Sequence, residues 1–328
     1  MALSKIRSDS LEDTAIHGNR NLIINGAMQV AQRGTSETSV STSQYANACD
    51  RFKVNGNNGT WTISQDTNAP SGFSNSFKML LTATETIGGT SYWSVEHKIE
   101  GQNLQQLSYG TSDAETVTVS FYVKSNITGT YCLNLYQDDG SKNFPKTYTI
   151  DSANTWERKT ISFVGDTSTA LDNDNASSLR TQFFVVAGSS YNSGSAGSRV
   201  AYSDATFAAG QSAQVDAVND YWQITGLQME IGEQVTPFEH RSYGEELLAC
   251  MRYYWKDTAP VYLTQYGSNA IANIYAPVPM RATPSVSQIS GTTMLFGQAS
   301  NVPYRYFYAY VAGSSGDAYN GTIADAEL

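Results

Sequence analysis

A long series of short segments with alternating polarity constrains this chain more than any other feature. The segment ETVTVSFYVKSN places apolar side chains on one side of an extended strand and polar ones on the other, and its apolar set is Val117, Val119, Phe121 and Val123. GTYCLNLYQDDG repeats the pattern and then breaks at Asp138-Asp139-Gly140, because Asp-Gly is a common hairpin corner. About eleven such segments, at short and regular spacing, predict two antiparallel sheets packed as a sandwich or jelly roll.

The composition favours the same all-β class. Only 15% of the residues are charged and Tyr occurs 21 times, whereas long helices need runs of Ala, Leu, Glu and Lys. Tyr and β-branched residues fit a pleated surface, and Gly and Asn supply the corners. The first strand signal is NLIINGAMQV, an apolar run that turns at Asn25-Gly26 and resumes, and the last is YWQITGLQMEIG.

One helix is predicted directly after the strand series. Ser242 is a good N-cap, and Glu245 three residues later completes a capping box. The apolar stripe expected to pack on the preceding sheet is Tyr243, Leu247, Met251 and Tyr254, with Cys250 beside it. Arg252 and Lys256 lie where the C-terminal end of the helix dipole favours cations.

These patterns divide the chain into four parts. We expect an N-terminal arm over 1–20, a jelly-roll sandwich over 21–240, a helix over 241–256 and a β unit over 257–328. The fold class is therefore all-β: an antiparallel jelly-roll sandwich followed by one capped helix and a small C-terminal β unit. Since about seventy residues make a small core, we expect the last unit to pack on the sandwich or on copies of itself.

The first twenty residues are polar, with apolar residues recurring every three to five positions: Leu3, Ile6, Leu11 and Ile16. Alone such a segment would be disordered, and it would order against a partner. It is interpreted as a docking arm, with a frayed terminus as the alternative. It has no apolar core of a signal peptide, so synthesis in a reducing cytoplasm is expected.

Charge and cysteine content exclude several classes of function. The formal net charge of −10 disfavours a nucleic-acid partner, whose phosphates would be repelled. No long apolar stretch predicts membrane insertion. Three widely spaced cysteines, Cys49, Cys132 and Cys250, indicate buried thiols and neither a disulfide framework nor a zinc site. We expect no cofactor.

No catalytic residues are predicted. The three histidines, His17, His97 and His240, lack a GxSxG or HExxH context, and a structural role is expected for His97 and His240. A glycosidase needs only two carboxylates at a suitable separation. With 30 acidic residues, the sequence leaves that reading open, although we expect that the protein is not an enzyme.

Aromatic residues on or near strands and turns provide the candidates for stacking on sugar rings, although each is individually more typical of a core. The ligand-binding candidates are Tyr92, Trp93, Trp61 and Trp156, with Tyr136 nearby in the pattern. Tyr92 and Trp93 are adjacent, so in a strand they face opposite sides and one of them is expected to be exposed. A second aromatic group, near the C-terminus, is the candidate oligomer interface: Tyr304, Tyr306, Tyr308 and Tyr310.

Several long motifs in order resemble a family of phage virion proteins, the tail-fibre-like and tail-associated proteins common in marine bacteriophages. The motifs are MALSKIRSDSLEDTAI, NLIINGAMQVAQRGTS, YANACDRFKV, ITGLQMEIGEQVTPFEHRSYGEELLACMRYYW and a terminal ADAEL. The resemblance spans most of the chain. It implies a virion protein, assembled in the host cytoplasm, that contacts other virion proteins and forms a homotrimer.

Residues 21–232 also resemble the jelly-roll carbohydrate-binding modules whose first strand carries an Asn-Gly pair. Those modules often hold a structural calcium with carboxylates and carbonyls from their first and last strands. Asn25-Gly26 is present here, but the last strand has Thr225-Gly226 in place of an acidic pair, with Glu230 further on. The sequence therefore assigns no metal ligands.

The sequence thus predicts a tail fibre or fibre-like adhesin that attaches to the particle through its N-terminus and presents a sandwich to host surface glycans. A capsid or tail decoration protein with a purely architectural role is the alternative. An envelope polysaccharide depolymerase is the third reading.

Overall fold

The structure is a computed structural model that describes residues 20–266, 269–291, 295–298, 306–312 and 318–328. Its first part contains short antiparallel strands separated by turns. In chain order they are β1 Ser36–Val40, β2 Phe52–Gly56, β3 Thr60–Asp66, β4 Ser76–Ala83, β5 Tyr92–Glu100, β6 Val117–Ser125, β7 Gly129–Gln137, β8 Lys142–Asn143, β9 Pro145–Ile150, β10 Glu157–Phe163, β11 Ser177–Ala187, β12 Val200–Ala201 and β13 Tyr221–Ile231. A one-turn helix, α1 (Ser189–Asn192), lies between β11 and β12.

These strands form two sheets. Sheet A has the order β1-β3-β4-β13-β6-β10, and sheet B has the order β12-β8-β7-β11-β5-β2, with β9 also pairing with β7. Strands far apart in the chain are neighbours, since β13 pairs with both β4 and β6. The predicted all-β class with antiparallel sheets is confirmed.

The core lies between the inward faces of the two sheets. The alternating residues of β6 that the sequence assigned to one side, from Val117 to Val123, are all buried there. Large aromatic side chains fill the centre, and Phe121 makes an edge-to-face contact with Phe183 at 4.9 Å. Such aromatic packing adds to the free energy of burying the rings.

The strand predicted in NLIINGAMQV is wrong, although the turn predicted at Asn25-Gly26 is present. Residues 21–30 form a buried, irregular segment with a turn, in which Asn25 and Met28 have φ of 62° and 57°. The Asn25 side chain accepts a hydrogen bond from the Val30 amide and donates to the carbonyl oxygens of Val30 and Asp50, each at 2.9 Å. These bonds satisfy the polar groups of the segment locally, so no strand ladder is needed.

The predicted capped helix is present as α2, Tyr243–Met251, and the Ser242–Glu245 capping box is confirmed. The helix is shorter than expected, and Tyr254 begins a strand instead of ending the helical stripe. The buried positions are Glu246 and Cys250, while Tyr243 is exposed. The stripe prediction is therefore wrong, because the Glu246 carboxylate faces inward and accepts a bond from the Asn25 amide.

The C-terminal part forms two small antiparallel sheets. Its strands are β14 Tyr254–Tyr262, β15 Thr264–Tyr266, β16 Asn269–Tyr275, β17 Ser285–Gly291, β18 Leu295–Gln298, β19 Tyr306–Ala312 and β20 Ala318–Asp325. One sheet has the order β14-β20-β17 and the other β15-β16-β19-β18. Their shared core contains Trp255 and Phe307 among many alanines.

Side chains from both parts meet at a contact rich in ion pairs. Arg33 lies 3.3 Å from Glu327, and the buried Arg51 guanidinium donates to the same carboxylate. Arg252, directly after α2, forms a two-point ion pair with Glu100 at the end of β5, with distances of 2.8 and 3.0 Å. Ion pairs therefore form part of the contact between the C-terminal part and the sandwich. Among the described residues, no helix is long and apolar enough to cross a membrane.

Candidate functional site: the outer face of sheet B

The outer face of sheet B carries polar side chains in register across three strands. Gln182 of β11 lies opposite Glu96 of β5 on one side and opposite Asn134 of β7 on the other. All three are almost fully buried, although the outer face of a sandwich sheet ordinarily carries solvated side chains. The strand register therefore builds a polar floor on this face.

Hydrogen bonds connect the floor from strand to strand. The Gln182 amide donates to Glu96 Oε1 at 2.8 Å and accepts from Asn134 at 3.0 Å. Asn55 of β2 also donates to Glu96 Oε1 at 2.8 Å, and Asn134 donates to Asn143 at 2.9 Å. The second carboxylate oxygen, Glu96 Oε2, accepts no hydrogen bond within the described part of the chain. Side-chain hydrogen bonds thus link the floor from β2 to β8.

Two further side chains, Arg180 and Tyr136, lie beside the floor and reach the surface. Arg180 is opposite Tyr136 in the register, and its guanidinium carbon lies 4.7 Å from the centre of the Tyr136 ring. The guanidinium also donates to Asp138 and lies 3.9 Å from Glu96 Oε2. Burial opposes the charged form of Arg180, but hydrogen bonding to Asp138 outweighs it and raises the pKa. Arg180 is therefore a fixed, half-buried cation.

The long segment over residues 188–214 forms an aromatic wall along this face. Tyr202 packs edge-to-face on Tyr136 with ring centres 6.0 Å apart, and it remains 45% exposed. Its hydroxyl donates to Asp204 at 2.8 Å. Burial, with that hydrogen bond as the next cause, raises the pKa of Tyr202 to about 12. The phenol therefore stays neutral and remains a hydrogen-bonding group at ordinary pH.

Tyr92 continues the aromatic wall at the other end of the face. Its ring contacts Tyr191 at 5.2 Å and Phe207 at 5.8 Å, and its hydroxyl donates to Asn55 at 3.1 Å. Burial and the nearby Glu96 raise the pKa of Tyr92. We call the whole arrangement the Tyr136 face, defined by Tyr92, Glu96, Tyr136, Arg180, Gln182 and Tyr202.

The Tyr136 face combines the chemistry that a hydroxyl-rich ring requires. Phenol rings offer apolar faces with a hydroxyl at the tip, and Arg180 and Asn55 offer donors whose positions the floor fixes. Fixed polar groups and preformed aromatic surfaces lower the entropy lost on binding. The face can therefore hold a polar, uncharged ligand by stacking and hydrogen bonding together.

The structure corrects two of the four predicted ligand-binding residues. Trp61 and Trp93 are each 0% exposed and pack on one another with ring centres 5.8 Å apart. Their indole nitrogens both donate to the Asn58 carbonyl oxygen, so each polar atom is satisfied inside the core. Neither ring presents a surface on which a sugar could stack.

The other two predicted residues reach solvent on different sheets. Tyr92 lies on the Tyr136 face, as the alternation of Tyr92 and Trp93 predicted for one member of the pair. Trp156 lies directly before β10, on sheet A, and is half-buried. The structure therefore does not bring the four residues together in one site.

The predicted anchoring residues, Leu3, Ile6, Leu11 and Ile16, lie outside the described residues, as does Tyr304. Tyr306, Tyr308 and Tyr310 share one face of β19, and each is partly exposed. A cavity of about 540 Å³ opens beside them, with Tyr262, Asn273, Tyr306 and Tyr308 in its wall. The predicted tyrosine surface thus faces outward from the C-terminal part.

Side chains with metal-binding chemistry do not converge in the described part of the chain, where no group of three His, Cys, Asp or Glu residues could hold an ion. The Asn25 side chain is used in the hydrogen bonds given above. Glu230 is buried and accepts from the Thr236 amide and hydroxyl at 3.0 and 2.6 Å. The Asn25 and Glu230 side chains therefore both have hydrogen-bond partners within the protein.

His97 is fully buried, as a structural role requires. Its ring lies 5.3 Å from Phe52, and Nε2 lies 3.1 Å from the Ile24 carbonyl oxygen. Burial lowers the pKa of His97 well below its ordinary value, with Arg51 as the next cause. The ring is therefore neutral, and it joins the segment after Arg20 to the sandwich.

Sequence reasoning missed Glu96, Arg180 and Gln182 as site residues. The sequence predicts strands in SVEHKIEG and LRTQFFVVAG, but it does not show that these strands pair with each other. One signal was present: charged or amide residues recur at alternate positions, as Glu96 and Lys98 in one strand and Arg180 and Gln182 in the other. That pattern marks the outward face, and only the register shows that the residues meet.

Searches with protein-family models and against curated proteins give no match. Among solved structures, the chain is similar to the enzymatically active domain of tailspike protein 4 of bacteriophage CBA120. The TM-score is 0.35 at 11% identity, and the match covers 65% of this chain and 21% of that chain.

Two carbohydrate-binding modules of Clostridium thermocellum are also similar. A C-terminal family 22 module gives a TM-score of 0.31 at 11% identity, covering 62% of this chain and 98% of the module. A family 11 module gives 0.30 at 11% identity, covering 62% and 99%. Since all three scores lie below 0.5, the fold assignment rests on the strand pairing described above.

Proposed function

We propose that this protein binds a surface polysaccharide through the Tyr136 face and that it does so without chemical turnover. The observation that carries the proposal is the Tyr136–Tyr202 ring pair beside Arg180, above a hydrogen-bonded polar floor. Sugar rings expose apolar C–H faces and a rim of hydroxyl groups, which the rings and the fixed polar groups complement.

The proposed setting is a phage particle. The resemblance of the long motifs to tail-fibre-like virion proteins supports it. In this proposal residues 1–20 attach the protein to other virion proteins, the sandwich faces the host glycan, and the outward tyrosines of β19 join three copies. The protein would be assembled in the host cytoplasm and act on the virion.

Binding to the glycan is tested with full-length protein and polysaccharide isolated from the host envelope. Replacing Tyr202 by Ala removes an exposed ring without opening the core, and we expect at least about tenfold weaker binding by calorimetry. Tyr243→Ala, on the exposed side of α2, is the matched control and should bind like wild type. Equal binding by Y202A and wild type would overturn the role of this face.

Two observations would support a different function. Release of reducing sugar from the polysaccharide by purified protein would favour a depolymerase. Protein that enters particles yet binds no envelope polysaccharide would favour an architectural decoration protein.

The anchoring arm is tested separately in particles. Changing Leu11 and Ile16 together to Asp keeps the length of the arm and removes two apolar contacts. We expect the variant to fold normally and to be missing from purified virions. Normal incorporation would exclude the arm as the anchor.

A further inference from the structure

A second aromatic and cationic surface lies on the opposite side of the sandwich, on the outer face of sheet A. Gln223 of β13 is opposite Lys78 of β4 on one side and opposite Lys124 of β6 on the other. Tyr221 lies two residues earlier on the same face of β13, and Trp156 directly precedes β10 at the edge of the sheet. We call these four residues, Lys78, Lys124, Trp156 and Tyr221, the Trp156 patch.

The two rings of the patch contact the same cation, the Lys124 ammonium group. Lys124 Nζ lies 5.7 Å from the centre of the Trp156 ring and 5.9 Å from that of Tyr221. The Trp156 indole nitrogen and Lys124 Nζ both donate to Asn68 Oδ1, at 3.0 and 2.9 Å. The Tyr221 hydroxyl donates to Asn154 at 2.6 Å. These contacts fix both rings at the surface.

The two lysines differ in how their charges are compensated. Lys78 forms an ion pair with Asp66 at 3.1 Å. Lys124 has only the neutral Asn68 oxygen, and no described carboxylate lies within ion-pair distance of it. Burial lowers the pKa of Lys124; the nearby Asp66 opposes this shift and the nearby Lys78 adds to it, so the net shift is downward. An anion placed at Lys124 would therefore relieve an existing electrostatic cost.

We propose that the Trp156 patch binds a carboxylated sugar residue, with the carboxylate at Lys124 and the sugar ring on an aromatic face. A charge-assisted hydrogen bond to an amine is stronger than a neutral one, so the carboxylate supplies selectivity. The stacked ring supplies contact area that an inorganic anion cannot use. This site is separate from the Tyr136 face, and its occupancy does not depend on it.

The test uses full-length protein and trigalacturonic acid, with the neutral cellotriose as the comparison ligand. We expect trigalacturonic acid to bind, and Lys124→Gln to weaken it about tenfold or more. Binding should also weaken as salt increases, because the contact is ionic. Lys53→Gln, a half-buried lysine on sheet B, is the matched control and should leave binding unchanged.

Trp156→Ala and Trp156→Phe separate stacking from folding. If the ring stacks on the sugar, the Phe variant keeps part of the affinity that the Ala variant loses, and near-UV circular dichroism reports whether each is folded. Tyr202→Ala should leave trigalacturonic acid binding intact, so failure at one face is distinguishable from failure at the other. Equal affinity for the two trisaccharides, or unchanged binding by K124Q, would overturn the proposal.

Discussion

The hydrophobic cores of the sandwich and of the C-terminal part differ in composition. The centre of the sandwich contains three fully buried tryptophans, Trp61, Trp93 and Trp222, together with phenylalanines from both sheets. The C-terminal core contains six buried alanines, and its larger members are few: Trp255, Leu263, Ile274, Met280 and Phe307. Since stabilisation follows the apolar area removed from water, the second core contributes much less per residue.

Ionic contacts with the sandwich compensate for that small core. Arg51 is fully buried, lies 3.4 Å from the centre of the Tyr253 ring and donates to Glu327. Arg33 lies 3.7 Å from the Tyr254 ring and contacts both Glu327 and Asp325. The sandwich thus has a large aromatic core, whereas the C-terminal part combines a small core with ion pairs to the sandwich.

The largest effect is expected in the sandwich core. Trp222→Ala removes a fully buried indole and should lower the free energy of unfolding by about 3–5 kcal/mol, because a cavity remains. Urea unfolding measures the change, and Val218→Ala at an exposed position is the control. A loss below about 1 kcal/mol would contradict the aromatic core as the main source of stability.

The ionic contact is tested by Glu327→Gln. Two buried or nearly buried cations lose their shared carboxylate, so we expect a loss of about 3 kcal/mol. The loss should appear first in the C-terminal part, and hydrogen exchange of β14 and β20 amides should rise while β11 stays protected. Equal loss of protection in β11 would show that the two parts unfold as one unit.

Low pH should also weaken the contact between the two parts of the molecule, at the ion pair of Glu100 with Arg252. Burial opposes the charged form of Glu100, but hydrogen bonds from Arg252 outweigh it and lower the pKa of the carboxyl group below 4.5. A carboxyl with a lowered folded pKa stabilises the fold above its unfolded pKa. That stability is lost as pH falls below the unfolded pKa and through the folded pKa.

Thermal unfolding of wild type and Glu100→Gln across pH 7 to 3 checks this dependence. The variant should be less stable at pH 7, and the difference should shrink towards pH 3. Asp113→Asn, at an exposed position, serves as the control. A difference that does not depend on pH would exclude ionisation of Glu100 as the cause.

The smallest effect is expected at the exposed tyrosines. Tyr275 is 64% exposed and packs on Tyr306 at 5.2 Å, so Tyr275→Ser should change monomer stability by less than about 0.5 kcal/mol. If this surface joins copies, sedimentation should show weaker self-association of the variant than of wild type. Tyr243→Ser is the control, and identical sedimentation of all three proteins would exclude the surface.

Much of the fold was predictable because its strands alternate. The period-two pattern around Phe121 identifies β6 and its buried face, and Ser242 with Glu245 identifies the start of α2. The turn at Asn25-Gly26 was predictable, but the irregular backbone around it was not, because its apolar residues resemble a strand. A side-chain hydrogen-bond network with Asn25 and Met28 at positive φ replaces the strand there.

The candidate site was predictable only in part. Because side chains alternate along a strand, the sequence predicts that Tyr92 and Trp93 lie on opposite faces. Which of the two is exposed depends on which face of β5 meets the core. Glu96, Arg180 and Gln182 belong to strands more than eighty positions apart, and strand pairing alone brings them together. Register is set by the turns and by the packing of the whole sheet, which local patterns do not contain.

The central place of β13 in sheet A has a consequence for biosynthesis. Its partners β4 and β6 are complete by Ser125, but β13 begins only at Tyr221. At translation rates of about 5–20 residues per second, β4 and β6 remain without their shared partner β13 for roughly 5–20 s. A nascent chain of this kind is open to wrong pairing during that interval, so ribosome-associated chaperones should raise its yield more than they would for a locally paired meander.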